Sequence, residues 1–158
     1  MINHFDEAIF WVITSLLIGL ILSLGSCTSE KCEEETEAYL NMTIQVTDSE
    51  AGTKPDSITI WGVGHEADLL YDTATVSIVK LPLDPSSGQV DFVIRRGSEE
   101  DLLTIKYRSE GRFISKPCGY GFIYFITEVN HTTSRIENIL IINDEVNPGD
   151  EENLRTFY

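Results

Sequence analysis

The groups in this sequence that could carry covalent or metal chemistry are three cysteines, three histidines and a surplus of carboxylates, 26 acidic residues against 11 lysines and arginines. A thiol nucleophile at Cys118 would have to be reduced and placed beside His65 or His131. A serine nucleophile on a strand-to-helix elbow would need G-x-S-x-G, which does not occur. Two carboxylates could cleave a glycoside, but so many acids mark out no particular pair. Zinc would need clustered thiols and imidazoles; no C-x-x-C is present, and His4, His65 and His131 are far apart. The segment Asn143 to Glu152 holds enough oxygen ligands for calcium, yet Val146 and Pro148 stand where an EF-hand would alternate acids, so it reads as a solvated loop. Trp61, Tyr71, Tyr120 and Tyr124 could stack on a sugar, although aromatics in strands usually fill a core. The expectation is therefore no catalytic residue, no metal and no cofactor, with a hydrolase kept only as a minor alternative.

Cys27 belongs to a different chemistry. Ile9 to Leu24 is free of charge. At 1.5 Å per residue it would span about 24 Å as a helix, short of the roughly 30 Å hydrocarbon core, and suits a signal-peptide apolar region. It runs into Leu24-Gly25-Ser26-Cys27, which resembles a lipobox: an aliphatic residue, two small residues that let the chain enter a peptidase cleft, and a cysteine whose thiol takes a diacylglyceryl group, palmitate being a typical acyl chain. Residues 1–26 are then a lipoprotein signal peptide and Cys27 the lipidation site. An uncleaved anchor is the other reading, and Met1 to Glu7 departs from the usual signal by carrying Asp6 and Glu7 with no lysine or arginine.

Lipid on Cys27 leaves Cys32 and Cys118, which are predicted to form a disulfide in an oxidising envelope compartment. Residues 27–38 read as an acidic tether, with four glutamates between Glu33 and Glu37. Loss of Asp6 and Glu7 with the signal would leave 24 acids against 11 bases, a net charge of −13. Arg95-Arg96 is the one adjacent basic pair, so nucleic acid is not an expected partner. The membrane contact would be made through lipid, since the protein surface repels anionic headgroups.

From 39 to 158 the sequence alternates with a period of two between turn signals. Leu40, Met42, Ile44 and Val46 form one face of a first strand, with a turn at Asp48 to Gly52. Ile58 and Ile60 oppose Trp61. Further strands are predicted at Thr75 to Leu81, Gln89 to Arg95 and Leu103 to Tyr107, with a loop at Pro82 to Gly88 and a turn at Gly97 to Asp101. Phe113 to Ser115 reads as a short edge strand. Tyr120 to Val129 reads as a central strand buried on both faces. Ile136 to Ile142 and a closing Leu154 to Tyr158 flank the acidic loop. About eight strands without a helix predict an all-β, two-sheet antiparallel sandwich, immunoglobulin-like, after an N-terminal signal helix.

Two short patterns, Asp56-Ser57-Ile58 and Asp72-Thr73-Ala74, look like the Asp-Ser/Thr-aliphatic O-glycosylation pattern of Bacteroidetes exported proteins, making Ser57 and Thr73 candidate sites. The N-linked patterns at Asn41 and Asn130 are discounted for a bacterial chain. With Cys27, Cys32, Leu81-Pro82-Leu83, Phe113-Ile114-Ser115 leading to Cys118-Gly119-Tyr120, and the terminal Asn153 to Tyr158 in view, the chain resembles a family of small Bacteroidetes lipoproteins known only as a domain of unknown function. That resemblance implies lipid anchorage, with the acidic run resembling a signal for the outer face of the outer membrane; it implies no activity. The functional expectation is a non-catalytic envelope lipoprotein that binds a protein or glycan partner. The alternative is a structural or adhesin-type subunit assembling by β-strand addition.

Overall fold

The computed structural model describes residues 11, 13–15, 31–46 and 57–158. Met1–Cys32 and Glu33–Tyr158 are two compact units. In the first, Trp11 and Ile13 to Ser15 are helical; the rest of the expected signal helix, Cys27, Thr47 and the predicted turn at Asp48 to Gly52 lie outside the described residues.

Among the described residues the second unit has ten strands: β1 (Tyr39–Gln45), β2 (Ile58–Gly62), β3 (Tyr71–Ala74), β4 (Ile78–Pro82), β5 (Gln89–Arg96), β6 (Glu99–Ser115), β7 (Gly119–His131), β8 (Asn138–Ile141), β9 (Glu145–Val146) and β10 (Leu154–Phe157). They form a four-stranded sheet, β4-β1-β10-β8, and a six-stranded sheet, β3-β2-β5-β6-β7-β9. The inner faces are supplied by the alternation seen in sequence. Leu40, Met42 and Ile44 of β1 join Val79, Leu81 and Leu154 on one side. Ile58, Ile60, Phe92, Ile94, Leu103 and Ile105 face them from the other, all buried in a single cluster. The predicted two-sheet sandwich is the observed architecture, and its pairings are antiparallel apart from β1 with β10, which run parallel from Met42↔Leu154 to Gln45↔Phe157.

That parallel pair is clamped by two buried asparagines. The Asn41 amide donates to Asn153 Oδ1 at 3.0 Å and the Asn153 amide to the Asn41 carbonyl at 2.9 Å. Their side chains then collect the acidic loop: Asn41 Nδ2 donates to the Gly149 and Glu151 carbonyls, both at 3.1 Å, and Asn153 Nδ2 donates to the Glu145 carbonyl at 2.9 Å. Asn153→Ala removes the bonds of its own side chain, from the Asn41 amide and to the Glu145 carbonyl, and strands those partners, so a loss of about 2 kcal/mol is expected. Urea unfolding, with amide exchange across 143–152, measures it; an unchanged midpoint would remove the clamp from the account.

Three strands differ from the sequence reading. The expected short edge strand at Phe113 is the end of β6, which is continuous over 17 residues and pairs with β7 from Leu103↔His131 to Ser115↔Gly119. β7 is not buried on both faces: Tyr120, Phe122, Thr127 and Glu128 are exposed. Tyr71–Ala74, passed over as polar, is an edge strand beside β2. The β5–β6 turn needs only Gly97 and Ser98; Gly97 has φ +65° while Ser98 does not enter that region, the pattern of a type II′ hairpin turn.

Candidate functional site

The strand pair β6–β7 positions the one cluster of exposed aromatics among the described residues. Residues paired across two strands share a face, so Phe113 lies with Tyr120 and Phe122 with Gly111. Phe113 and Tyr120 meet edge to face at 5.4 Å. One step further along the same side of β7, Tyr124 is buried against Tyr107 at 5.5 Å and donates its hydroxyl to the Leu83 carbonyl at 3.1 Å. The core ends there. Beyond it Phe122 is 43% exposed, Phe113 54% and Tyr120 74%. The inward face of the hairpin therefore continues as an aromatic surface past the edge of the opposing sheet.

Glu34 to Tyr39, within the second unit, lie at this end. Thr36 to Tyr39, Pro82, Leu83, Tyr120 to Phe122 and Tyr124 line a groove of about 340 Å³. A neighbouring groove of about 270 Å³ has Glu34, Glu35, Arg112, Phe113 and Phe122 in its wall. Glu37 accepts a hydrogen bond from the Tyr39 hydroxyl at 2.7 Å, and this bond, with the carboxylate charge, holds the phenol above its ordinary pKa. Gly121 allows the approach. A Cβ there would lie 2.7 Å from Ile114 Cδ1 and 2.8 Å from the Thr36 carbonyl oxygen. The isoleucine tip can rotate, but the carbonyl belongs to backbone and must move. Gly121→Ala is expected to cost about 1–2 kcal/mol and to raise amide exchange over residues 36–38. Unchanged exchange there would show that the segment does not depend on this contact.

The cysteines and modification candidates are placed as follows. Cys32 and Cys118 are disulfide-bonded, with Cys118 in the Lys116–Cys118 turn that closes β6–β7. Ser57 is half-buried immediately before β2, and Asp56 is outside the described residues. Thr73 is exposed on β3, with φ +49°, and its hydroxyl donates to Asp72 Oδ1 at 3.0 Å. Asn41 is buried, whereas Asn130 is exposed and donates to Glu128.

The proposed sugar platform does not assemble. Trp61 is buried beneath the Arg95 guanidinium at 4.6 Å, and the Tyr71 hydroxyl accepts the Lys80 amide at 2.8 Å. Tyr124 is core, so Tyr120 alone of the four is open. His131 Nδ1 pairs with its neighbouring Thr132 carbonyl at 2.8 Å. Among the described residues, no three histidine, cysteine or acidic side chains converge on a point that could hold a metal.

Sequence reasoning missed Phe113, Phe122 and Tyr39 as surface residues. The available signal was Gly119-Tyr120-Gly121-Phe122, aromatics two apart on one face with glycine on the other. It also missed Asp101, which is buried and accepts bonds from Thr132 Oγ1, Ser134 N, Arg135 N and Ile136 N at 2.7 to 3.0 Å. A family model described as a family of unknown function (DUF6452) matches residues 57–158. No curated protein matches the chain, and no solved structure does.

Proposed function

Since this chain belongs to DUF6452, a family of unknown function, its own residues must supply the reading, and we propose that it is a lipid-anchored, non-catalytic binding module of a bacterial cell envelope. The observation that carries this is the pairing of its thiols. With Cys32 and Cys118 disulfide-bonded, the third cysteine is the one at the lipobox, Cys27. A disulfide also suits an oxidising compartment. The resemblance to Bacteroidetes lipoproteins and the glutamates from Glu33 to Glu37 favour the outer membrane, and its outer face.

Several of the groups that could do chemistry are engaged structurally. Cys118 is oxidised, Asp101 caps a loop, and the carbonyls of the 143–152 loop turn inward on Asn41 and Asn153. This favours recognition of a protein or glycan over turnover. Intact mass of the native membrane-extracted protein tests the reading: a chain beginning at acylated Cys27, two hydrogens lighter than its reduced form, is expected. Retention of residues 1–26 would replace the lipid with a helical anchor, and partner capture from cross-linked envelopes would be redirected to the periplasm.

Strand addition has one observation in its favour. β8 is the outer strand of its sheet, and Leu140, Ile141 and Ile142 are exposed there, whereas β4 at the opposite edge carries Lys80 and Pro82, residues that discourage pairing. A domain that stays monomeric at high concentration, with Leu140→Lys changing nothing, would count against assembly through β8.

A further inference from the structure

We propose that the tip of the β6–β7 hairpin is a membrane-seated foot, its aromatic face resting in the lipid–water interface beside the anchor. The inference rests on lipidation at Cys27 and adds a surface and a partner, the bilayer itself. Its first support is tether length. Glu34 lies in the wall of the same groove as Phe113 and Phe122. It is the seventh residue after Cys27, no more than about 25 Å away along fully extended chain. A sandwich of this size is wider than that, with a radius of gyration near 14 Å, so the end at which the tether leaves is the end held toward the lipid.

The second support is the chemistry of that end. Phe113, Tyr120 and Phe122 are exposed and share one face. Residues 111–122 carry Arg112 and Lys116 and no acidic residue, in a chain whose net charge is −15. Aromatic rings with a few long cations are the residues that settle at the headgroup level of a bilayer, where ring faces meet acyl chains and polar tips stay wet. Glu34 and Glu35 line the same groove as Arg112, and their charge offsets its own. Contact is therefore carried by the rings and needs no anionic lipid.

The test uses the mature acylated protein, beginning at Cys27 and so without Trp11, in vesicles of phosphatidylcholine, with tryptophan reporters introduced singly as Y120W at the tip and S98W at the β5–β6 turn. These sites are the two ends of β6, about 50 Å apart along a strand of its length, and native Trp61, being buried, gives the same background in both. Flotation with vesicles reports the anchor separately. The expected result is flotation of both variants, a blue shift of Y120W on reconstitution, and quenching of Y120W by brominated phosphatidylcholine several-fold stronger than that of S98W, unaltered by salt. Flotation with equal quenching of the two reporters would overturn the foot and leave the anchor standing. A blue shift of Y120W without lipid quenching would mean that a second copy of the chain covers the tip, and would also overturn it. Loss of flotation would overturn both the anchor and the foot.

Discussion

Asp101→Ala is expected to lower the free energy of unfolding by about 4 kcal/mol, several buried donors losing their acceptor at about 1–3 kcal/mol each before relaxation. The carboxylate is almost wholly buried, 1% exposed, and both oxygens are used twice. Oδ1 takes the Thr132 hydroxyl and the Ser134 amide, each at 2.7 Å, and Oδ2 takes the amides of Arg135 and Ile136 at 2.7 and 3.0 Å. Thr132 in turn binds the Leu102 amide at 2.9 Å, so one side chain holds the chain reversal between β7 and β8 against the start of β6. Asp101→Asn should lose about half as much, because it keeps one acceptor but turns an NH2 group toward donors. Burial by itself would raise this pKa; the four hydrogen bonds outweigh it and hold the carboxyl below its ordinary value. A depressed folded pKa means that the stabilisation is complete above the unfolded value, about 3.9, and is lost as pH falls through the folded one. Urea midpoints between pH 7 and pH 2 should therefore drop less steeply for Asp101→Asn than for wild type. Parallel curves would show that Asp101 does not govern the acid limb.

The same residue shows what a single sequence can and cannot disclose. Nothing in Glu99-Glu100-Asp101 distinguishes the third acid from the first two, and the turn signal at Gly97 drew all of them into a predicted loop. Its role depends on residues some thirty positions later, and a pattern of types along one strand carries no record of a partner so distant. Burial, by contrast, is written locally. Leu40, Met42 and Ile44, or Leu103 and Ile105, alternate because each strand has one dry face, and those predictions match the buried set.

Where that premise fails, legibility fails with it. Tyr71–Ala74 is an edge strand with little to bury, so it shows no alternation. The middle of β6, Arg108 to Arg112, interrupts the alternation between the strands predicted at Leu103 to Tyr107 and Phe113 to Ser115, since it is polar on both faces, which is what a hairpin running past its sandwich requires. Phe113, Tyr120 and Phe122 were read as core or edge because ring hydrophobicity says only that water is avoided; whether protein or lipid replaces it depends on where the other sheet ends. The parallel β1–β10 pairing, with Asn41 and Asn153 at its start, joins positions 112 apart in sequence, and no local rule selects it.

Reduction of the Cys32–Cys118 disulfide is expected to cost up to about 4 kcal/mol. The bridge closes a loop of about 87 residues, for which chain entropy gives roughly 4 to 5 kcal/mol as a ceiling. Cys32 is exposed and Cys118 half-buried. If the bond acts by restricting the unfolded chain, Cys32→Ser, Cys118→Ser and the double substitution must all lose the same amount as reduced wild type, because opening the loop at either end, or both, releases the same entropy. If local packing mattered more, Cys118→Ser would be the costlier single change and the double would exceed it. Urea unfolding with and without reductant separates the two, and a midpoint indifferent to reductant in the wild type would deny the bridge any stabilising role. Equality of the three variants carries a structural consequence: native-state amide exchange should then remain slow through Leu103 to Tyr107 and rise only around the Lys116–Cys118 turn, since the core that faces β1 and β4 keeps its buried contacts whether or not the thiols are joined.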